Sequence, residues 1–79
     1  MTMRADATLD ASGLYCIAPV AKLKEALGKL TAGQVLEVIT TTSGTCTDIP
    51  AWCRHTGNEL LATEAGGGTF RFYVRKAGG

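Results

Sequence analysis

The sequence has little of what marks a large, membrane-spanning or nucleic-acid-binding protein. It holds 79 residues with a single histidine, a single tryptophan and two prolines, and this length accommodates one domain. No apolar run approaches the ~20 residues of a membrane-spanning helix, so no membrane association is expected. A net charge of +1 lacks the basic excess of nucleic-acid-binding domains. Residues 1–9 lack the apolar segment of a secretory signal, which predicts a cytoplasmic location.

The cysteines are three in number, and an odd count does not suit a disulfide framework. In a reducing compartment Cys16, Cys46 and Cys53 are expected to be free thiols. They form no Cys-x-x-Cys pair, and the six-residue gap between Cys46 and Cys53 is not a usual zinc-ligand spacing, so no metal is expected. His55 has no serine or cysteine partner that would indicate a hydrolase.

The hydrophobic pattern predicts a β-α-β-α-β-β order of elements. The first helix begins at Pro19, which suits a first helical turn, carries Gly28 in its interior and ends within residues 31–33. The second helix has Thr47 as its N-cap and ends at Gly57. The predicted strands are Ala7–Asp10, Val35–Ile39, Glu59–Glu64 and Thr69–Arg75. We expect a single domain over residues 7–76, a flexible tail over 1–6 and a frayed end over 77–79.

The order of elements predicts a two-layer α/β sandwich of the α+β kind. A helix joins the first two strands, so these strands run parallel through a right-handed crossover, and the triple glycine at 66–68 makes the last two a hairpin. The result is a four-stranded mixed sheet with both helices on one face. In the last strand, Phe70, Phe72 and Val74 are expected in the core, whereas Tyr73 alternates with them and is expected on the solvent face.

Cys16 is the strongest candidate for chemistry. It lies just before a helix start, where unpaired backbone N–H groups favour the reactive thiolate. Cys53 shares an apolar helical face with Ile49 and Trp52, which predicts core packing. Cys46 falls in a polar loop just before the second helix. Because both helices follow parallel strands, we expect Cys16 and Cys46 at the same edge of the sheet.

Two motifs give the chain a family resemblance. The run Leu-Asp-Ala-Ser-Gly-Leu-Tyr-Cys over residues 9–16 is followed by Pro19, and Asp-Ile-Pro-Ala-Trp-Cys stands at residues 48–53. This pair resembles the TusA/SirA-type sulfur-carrier family from about Leu9 to Lys76. The resemblance implies a sulfur carrier that accepts sulfane sulfur as a persulfide on Cys16, with Asp10, Gly13, Ile17 and Pro19 shaping the site.

The resemblance also implies partners and leaves alternatives open. A cysteine desulfurase or a rhodanese would donate the sulfur, and an acceptor protein would use it in tRNA thiolation, molybdenum-cofactor assembly or sulfur oxidation. The covalent sulfur would be the only cofactor, in a monomer that relays sulfur as a sulfurtransferase without turning over a small molecule. Ile17 stands where the family has proline, and Thr41, Thr42 and Thr47 replace charged residues. The alternatives are a non-transferring regulatory module and a thiol-disulfide protein using Cys16 and Cys46.

Overall fold

The fold is a four-stranded sheet with two helices packed on one of its faces. The structure is a computed structural model that describes residues 5–13, 18–42 and 44–77. Its elements are β1 Ala7–Asp10, α1 Ala18–Gly28, β2 Val35–Thr40, α2 Thr45–Thr56, β3 Glu59–Gly66 and β4 Thr69–Arg75. The predicted order of elements and the mixed sheet are confirmed.

The sheet has the strand order β1-β2-β4-β3. β1 and β2 are parallel, whereas β4 is antiparallel to both β2 and β3. β2 is therefore a central strand, and its residues alternate between buried and half-buried. Leu36, Val38 and Thr40 face the core, while Glu37 faces the other side. The apolar sequence of β2 thus reflects its central place rather than burial on both faces.

A single apolar core lies between the sheet and the helices. α1 contributes Leu23 and Leu27, and α2 contributes Ile49 and Cys53. The sheet side of this cluster consists of Leu36, Val38, Phe72 and Val74. Both helices therefore cover the same face of the sheet, as predicted. No helix in the described parts of the chain is long and apolar enough to cross a bilayer.

The helix ends differ from the prediction. α1 ends at Gly28, so this glycine is terminal rather than interior. Beyond it, the N–H groups of Lys29 and Leu30 donate to carbonyls three residues earlier, the tighter bonding that commonly closes a helix. Leu30 remains half-buried against the core although it lies outside the helix.

α2 begins at Thr45, two residues before the predicted N-cap Thr47. Gly44 is the N-cap residue, and it offers no side-chain cap. Its carbonyl accepts the N–H groups of Thr47 and Asp48, each at 3.1 Å, and these are the first bonds of the helix. Cys46 consequently lies in this first turn, and its predicted position in the polar loop before the helix was wrong. Gly57 ends the helix at φ 81°, as predicted.

Tyr73 is buried, and its predicted exposure on the solvent face was wrong. Its side chain lies on the sheet face opposite the helices, where its hydroxyl donates to Glu37 Oε2 at 2.9 Å. Thr8 donates to the other carboxylate oxygen of Glu37 at 3.1 Å, and Arg71 lies 3.7 Å from that carboxylate. Burial, and next the bond to Glu37, raise the pKa of Tyr73. The hydroxyl of this buried ring therefore has a hydrogen-bond partner on the sheet face that carries no helix.

The β3–β4 hairpin closes through the predicted glycine turn. Gly66 pairs with Thr69, so the loop consists of Gly67 and Gly68, with φ values of 60° and 79°. Two successive positive φ values characterise the type I′ turn, whose twist matches that of the strands. β3 extends to Gly66 rather than ending at Glu64.

The described residues next to both termini are hydrogen-bonded. Asp6, expected in the flexible tail, donates its N–H to the Val35 carbonyl at 2.8 Å, and its carboxylate accepts the Val35 N–H at 2.8 Å. Ala77, expected to be frayed, donates its N–H to Asn58 Oδ1 at 2.8 Å. The rest of the expected tail and frayed end, residues 1–4 and 78–79, lies outside the described residues.

Candidate functional site

The segment between β1 and α1 and the segment between β2 and α2 begin side by side, at the carboxyl ends of the two strands. These strands are neighbours and run parallel, so the segments that follow them leave the same edge of the sheet. Ala11 extends the ladder by donating its N–H to the Ile39 carbonyl at 2.7 Å. Beyond it, the Gly13 N–H donates to Thr41 Oγ1 at 2.9 Å. The segment before α1 is thus bonded to the segment before α2.

Asp10 shapes the first of these segments through a local turn. Its Oδ1 accepts the Ser12 N–H at 3.0 Å, the Asx-turn pattern typical of aspartate at the start of a loop. The Ser12 hydroxyl, and after it the Ser12 N–H, hold the pKa of the Asp10 carboxyl below its usual range. The exposed Asp10 side chain is therefore a stable acceptor at neutral pH.

Gly13 and Pro19 stand where the backbone favours them. Gly13 has φ 79°, a left-handed conformation that side chains rarely adopt, although a Cβ there would meet nothing within 4 Å. Its backbone conformation, not lack of space, is what requires glycine. Pro19 is the second residue of α1, which begins at Ala18, and it is buried. Proline fits this first turn because no helical partner is lost there.

The three cysteines are described to different degrees. Cys16 and Ile17 lie outside the described residues, so their roles stay predictions. The backbone of Cys46 lies in the first turn of α2. Cys53 is a free thiol that is 2% exposed in the core, as predicted, and burial raises its pKa. A thiol buried in this way is not accessible to a persulfide on another protein.

Thr41 is the site residue that sequence reasoning missed. It was noted only because it replaces a charged residue, yet it accepts the Gly13 N–H. The signal was available in principle: a polar residue that directly follows β2 lies beside the segment following its parallel neighbour β1. In the described part of the chain, no three acidic, histidine or cysteine side chains converge as metal ligands would.

Comparisons with known proteins decide the family. The family profile described as sulfurtransferase TusA matches residues 7–76. The chain belongs to the TusA sulfurtransferase family. It is 43% identical over 72 residues to the sulfur carrier protein TusA of Allochromatium vinosum, covering 91% of this chain and 95% of that protein. TusA of Pseudomonas entomophila is 46% identical over 71 residues, with coverages of 90% and 89%.

Other relatives extend the TusA comparison. YrkF of Bacillus subtilis is 45% identical over 76 residues, which are 96% of this chain, but the chain spans only 41% of the length of that protein. The crystal structure of a SirA-like protein from Desulfitobacterium hafniense superposes with a TM-score of 0.78 at 25% identity, covering 90% of this chain and 97% of that one. The TusA/SirA resemblance, the fold and the sulfur-carrier role predicted from the two motifs are confirmed. A sulfur carrier requires a donor and an acceptor protein.

Proposed function

We propose that the protein carries sulfane sulfur as a persulfide on Cys16 and relays it between two proteins. The observation that carries this proposal is the TusA family match over residues 7–76, which includes the motif that ends in Cys16. The structure adds that α1 begins at Ala18, two residues after Cys16 in the chain. Helix N-termini favour anions and lower thiol pKa values, so this place in the sequence suits a thiolate.

The chemistry is two successive exchanges at sulfur. The Cys16 thiolate attacks the outer sulfur of a donor persulfide, a new S–S bond forms, and the donor cysteine leaves as a thiolate. The acceptor then attacks the outer sulfur of the Cys16 persulfide, and Cys16 leaves as a thiolate. Each step breaks one S–S bond and, with a thiolate acceptor, forms one, so no external oxidant or reductant is required. Persulfidation is a reversible modification of cysteine.

The burial of Cys53 supports Cys16 over that thiol as the carrier. Cys53 is 2% exposed and its pKa is raised, which opposes both contact with a donor and ionisation. The backbone of Cys46 lies in the first turn of α2. The Gly13–Thr41 hydrogen bond joins the segments that lead to Cys16 and to Cys46. This bond favours, as a second candidate, a thiol-disulfide function in which Cys46 resolves the Cys16 persulfide and releases sulfide.

The finer assignments belong to the same proposal. The donor would be a protein that itself forms a cysteine persulfide, such as a cysteine desulfurase or a rhodanese, in the cytoplasm. The acceptor pathway would be tRNA thiolation, molybdenum-cofactor assembly or sulfur oxidation. The relay itself requires no group beyond the covalent sulfur. Loading from a desulfurase with cysteine, compared with loading from a rhodanese with thiosulfate, identifies the donor class.

Intact-mass analysis tests the carrier proposal. Reduced wild type, Cys16→Ser and Cys46→Ser are incubated with polysulfide as a small sulfane donor. We expect wild type and Cys46→Ser to gain one sulfur atom and Cys16→Ser to gain none. A disulfide that forms rapidly and requires both thiols would replace the carrier by the thiol-disulfide candidate. No gain in any form, even with the protein donors, would leave the regulatory module as the better account.

A further inference from the structure

We propose that Thr41 is a positioning residue for the sulfur site, acting through the backbone of the segment that leads to Cys16. This inference deepens the proposed function and rests on Cys16 being the sulfur-bearing residue. Thr41 follows β2 directly and is exposed, so its side chain serves no part of the core. Its hydroxyl accepts the Gly13 N–H at 2.9 Å, and Gly13 stands three residues before Cys16.

The segment before Cys16 is held by three successive backbone N–H groups. Ala11 donates to the Ile39 carbonyl at 2.7 Å, Ser12 donates to Asp10 Oδ1 at 3.0 Å, and Gly13 donates to Thr41. The first bond continues the sheet, and the second is local to the turn. Of the three bonds, only the one to Thr41 joins the segment before α1 to the segment before α2.

The conformation of Gly13 adds to this role. At φ 79° the glycine turns the chain after the buried Ala11, and a glycine has many alternative conformations available. A hydrogen bond on its N–H selects one of them. Because a single hydrogen bond of this kind contributes about 0.5–1.5 kcal/mol, its loss should lower the equilibrium constant for the selected conformation about twofold to tenfold. The population of that conformation falls by at most the same factor.

The test compares Thr41→Val with Thr41→Ser. Valine keeps the branched shape and removes the acceptor, whereas serine keeps the acceptor. Thr8→Val is the matched control, because it removes an exposed threonine hydroxyl that bonds to Glu37 away from this edge of the sheet. Two rates are measured on each full-length variant: alkylation of Cys16 by iodoacetamide, resolved by peptide mass, and sulfur gain from polysulfide. Hydrogen exchange at the Gly13 amide is followed by NMR.

We expect Thr41→Val to slow both rates measurably, by at most about tenfold, and to speed Gly13 exchange, with the circular dichroism spectrum unchanged. Thr41→Ser should recover most of both rates, and Thr8→Val should match wild type. Unchanged alkylation in Thr41→Val, or a serine variant as slow as the valine variant, would overturn the inference. If wild type alkylates at Cys16 but gains no sulfur, the proposed function fails, while the alkylation rates still decide the role of Thr41.

Discussion

At the scale of single residues, the fold removes one thiol from contact with other proteins. Cys53 packs among core side chains with 2% of its surface exposed, and its raised pKa follows from desolvation of the charged form. In the sequence, Cys16 stands two residues before α1 and three residues after Gly13, whose N–H is bonded to Thr41. A small apolar residue is what the position of Cys53 requires, and its presence in the second family motif therefore reflects packing.

The pH dependence of unfolding provides a check on Cys53. Its folded pKa is raised above the ordinary thiol value of 9.0, so the contribution to stability is present below pH 9.0 and is lost as pH rises through the folded pKa. We expect the free energy of unfolding of wild type to fall more steeply above pH 9.0 than that of Cys53→Ala. Tyr73, whose pKa is also raised, is common to both proteins and cancels in the comparison. Urea titrations across this pH range make the measurement, and parallel profiles would contradict the prediction.

At the scale of elements, some bounds are predictable from the sequence and others are not. The bounds of β1 and β4 agree with the prediction because alternation and turn residues define them locally. The start of α2 does not, since a glycine carbonyl begins the helix where side-chain capping rules point to Thr47. The Tyr73 error has a non-local cause: its partner Glu37 lies on β2, and strand order was not readable from the sequence. Thr41 was missed although its signal, a polar residue directly after β2, was available in principle.

Two glycines at helix C-termini should respond oppositely to alanine. Gly57 has φ 81°, so Gly57→Ala should cost about 1–2 kcal/mol of stability through left-handed strain. Gly28 is the last residue of α1 without a positive φ, and a Cβ there meets nothing within 4 Å. Gly28→Ala should therefore stabilise the protein by up to about 1 kcal/mol. Urea unfolding of the two variants measures both signs, and each serves as the other's control. Equal effects would contradict the assigned helix ends.

At the scale of the whole molecule, the two faces of the sheet are stabilised by different kinds of contact. One face is apolar and covered by both helices. The other carries the polar network around Tyr73, in which Glu37 accepts from Tyr73 and Thr8 and lies beside Arg71. The bonds from Ala11 and Gly13 at the carboxyl edge involve no residue of this network. We therefore expect substitutions on the helix-covered face to lower the free energy of unfolding. Substitutions in the polar network should leave the rate of sulfur loading unchanged.

Neighbouring residues of β4 test this division. Phe72 is 0% exposed in the core, and Phe72→Ala should cost about 3–5 kcal/mol, a large part of the roughly 4–12 kcal/mol expected for a domain of this size. Arg71 points to the other face with 48% of its side chain exposed, so Arg71→Ala should cost less than about 1 kcal/mol. Urea unfolding followed by circular dichroism gives both values.

Measuring sulfur loading of the same two variants shows how the reactivity of Cys16 depends on the fold. Arg71→Ala should load from polysulfide at the wild-type rate, because its ion pair with Glu37 is not among the bonds that hold the segment before Cys16. Under conditions that unfold a substantial fraction of the Phe72→Ala variant, all three cysteines should react without preference, because Cys53 is then no longer buried. Peptide mapping of sulfur gained and of alkylated thiols separates the two outcomes. Selective loading of Cys16 in an unfolded Phe72→Ala chain would show that the local sequence, and not the fold, confers the reactivity.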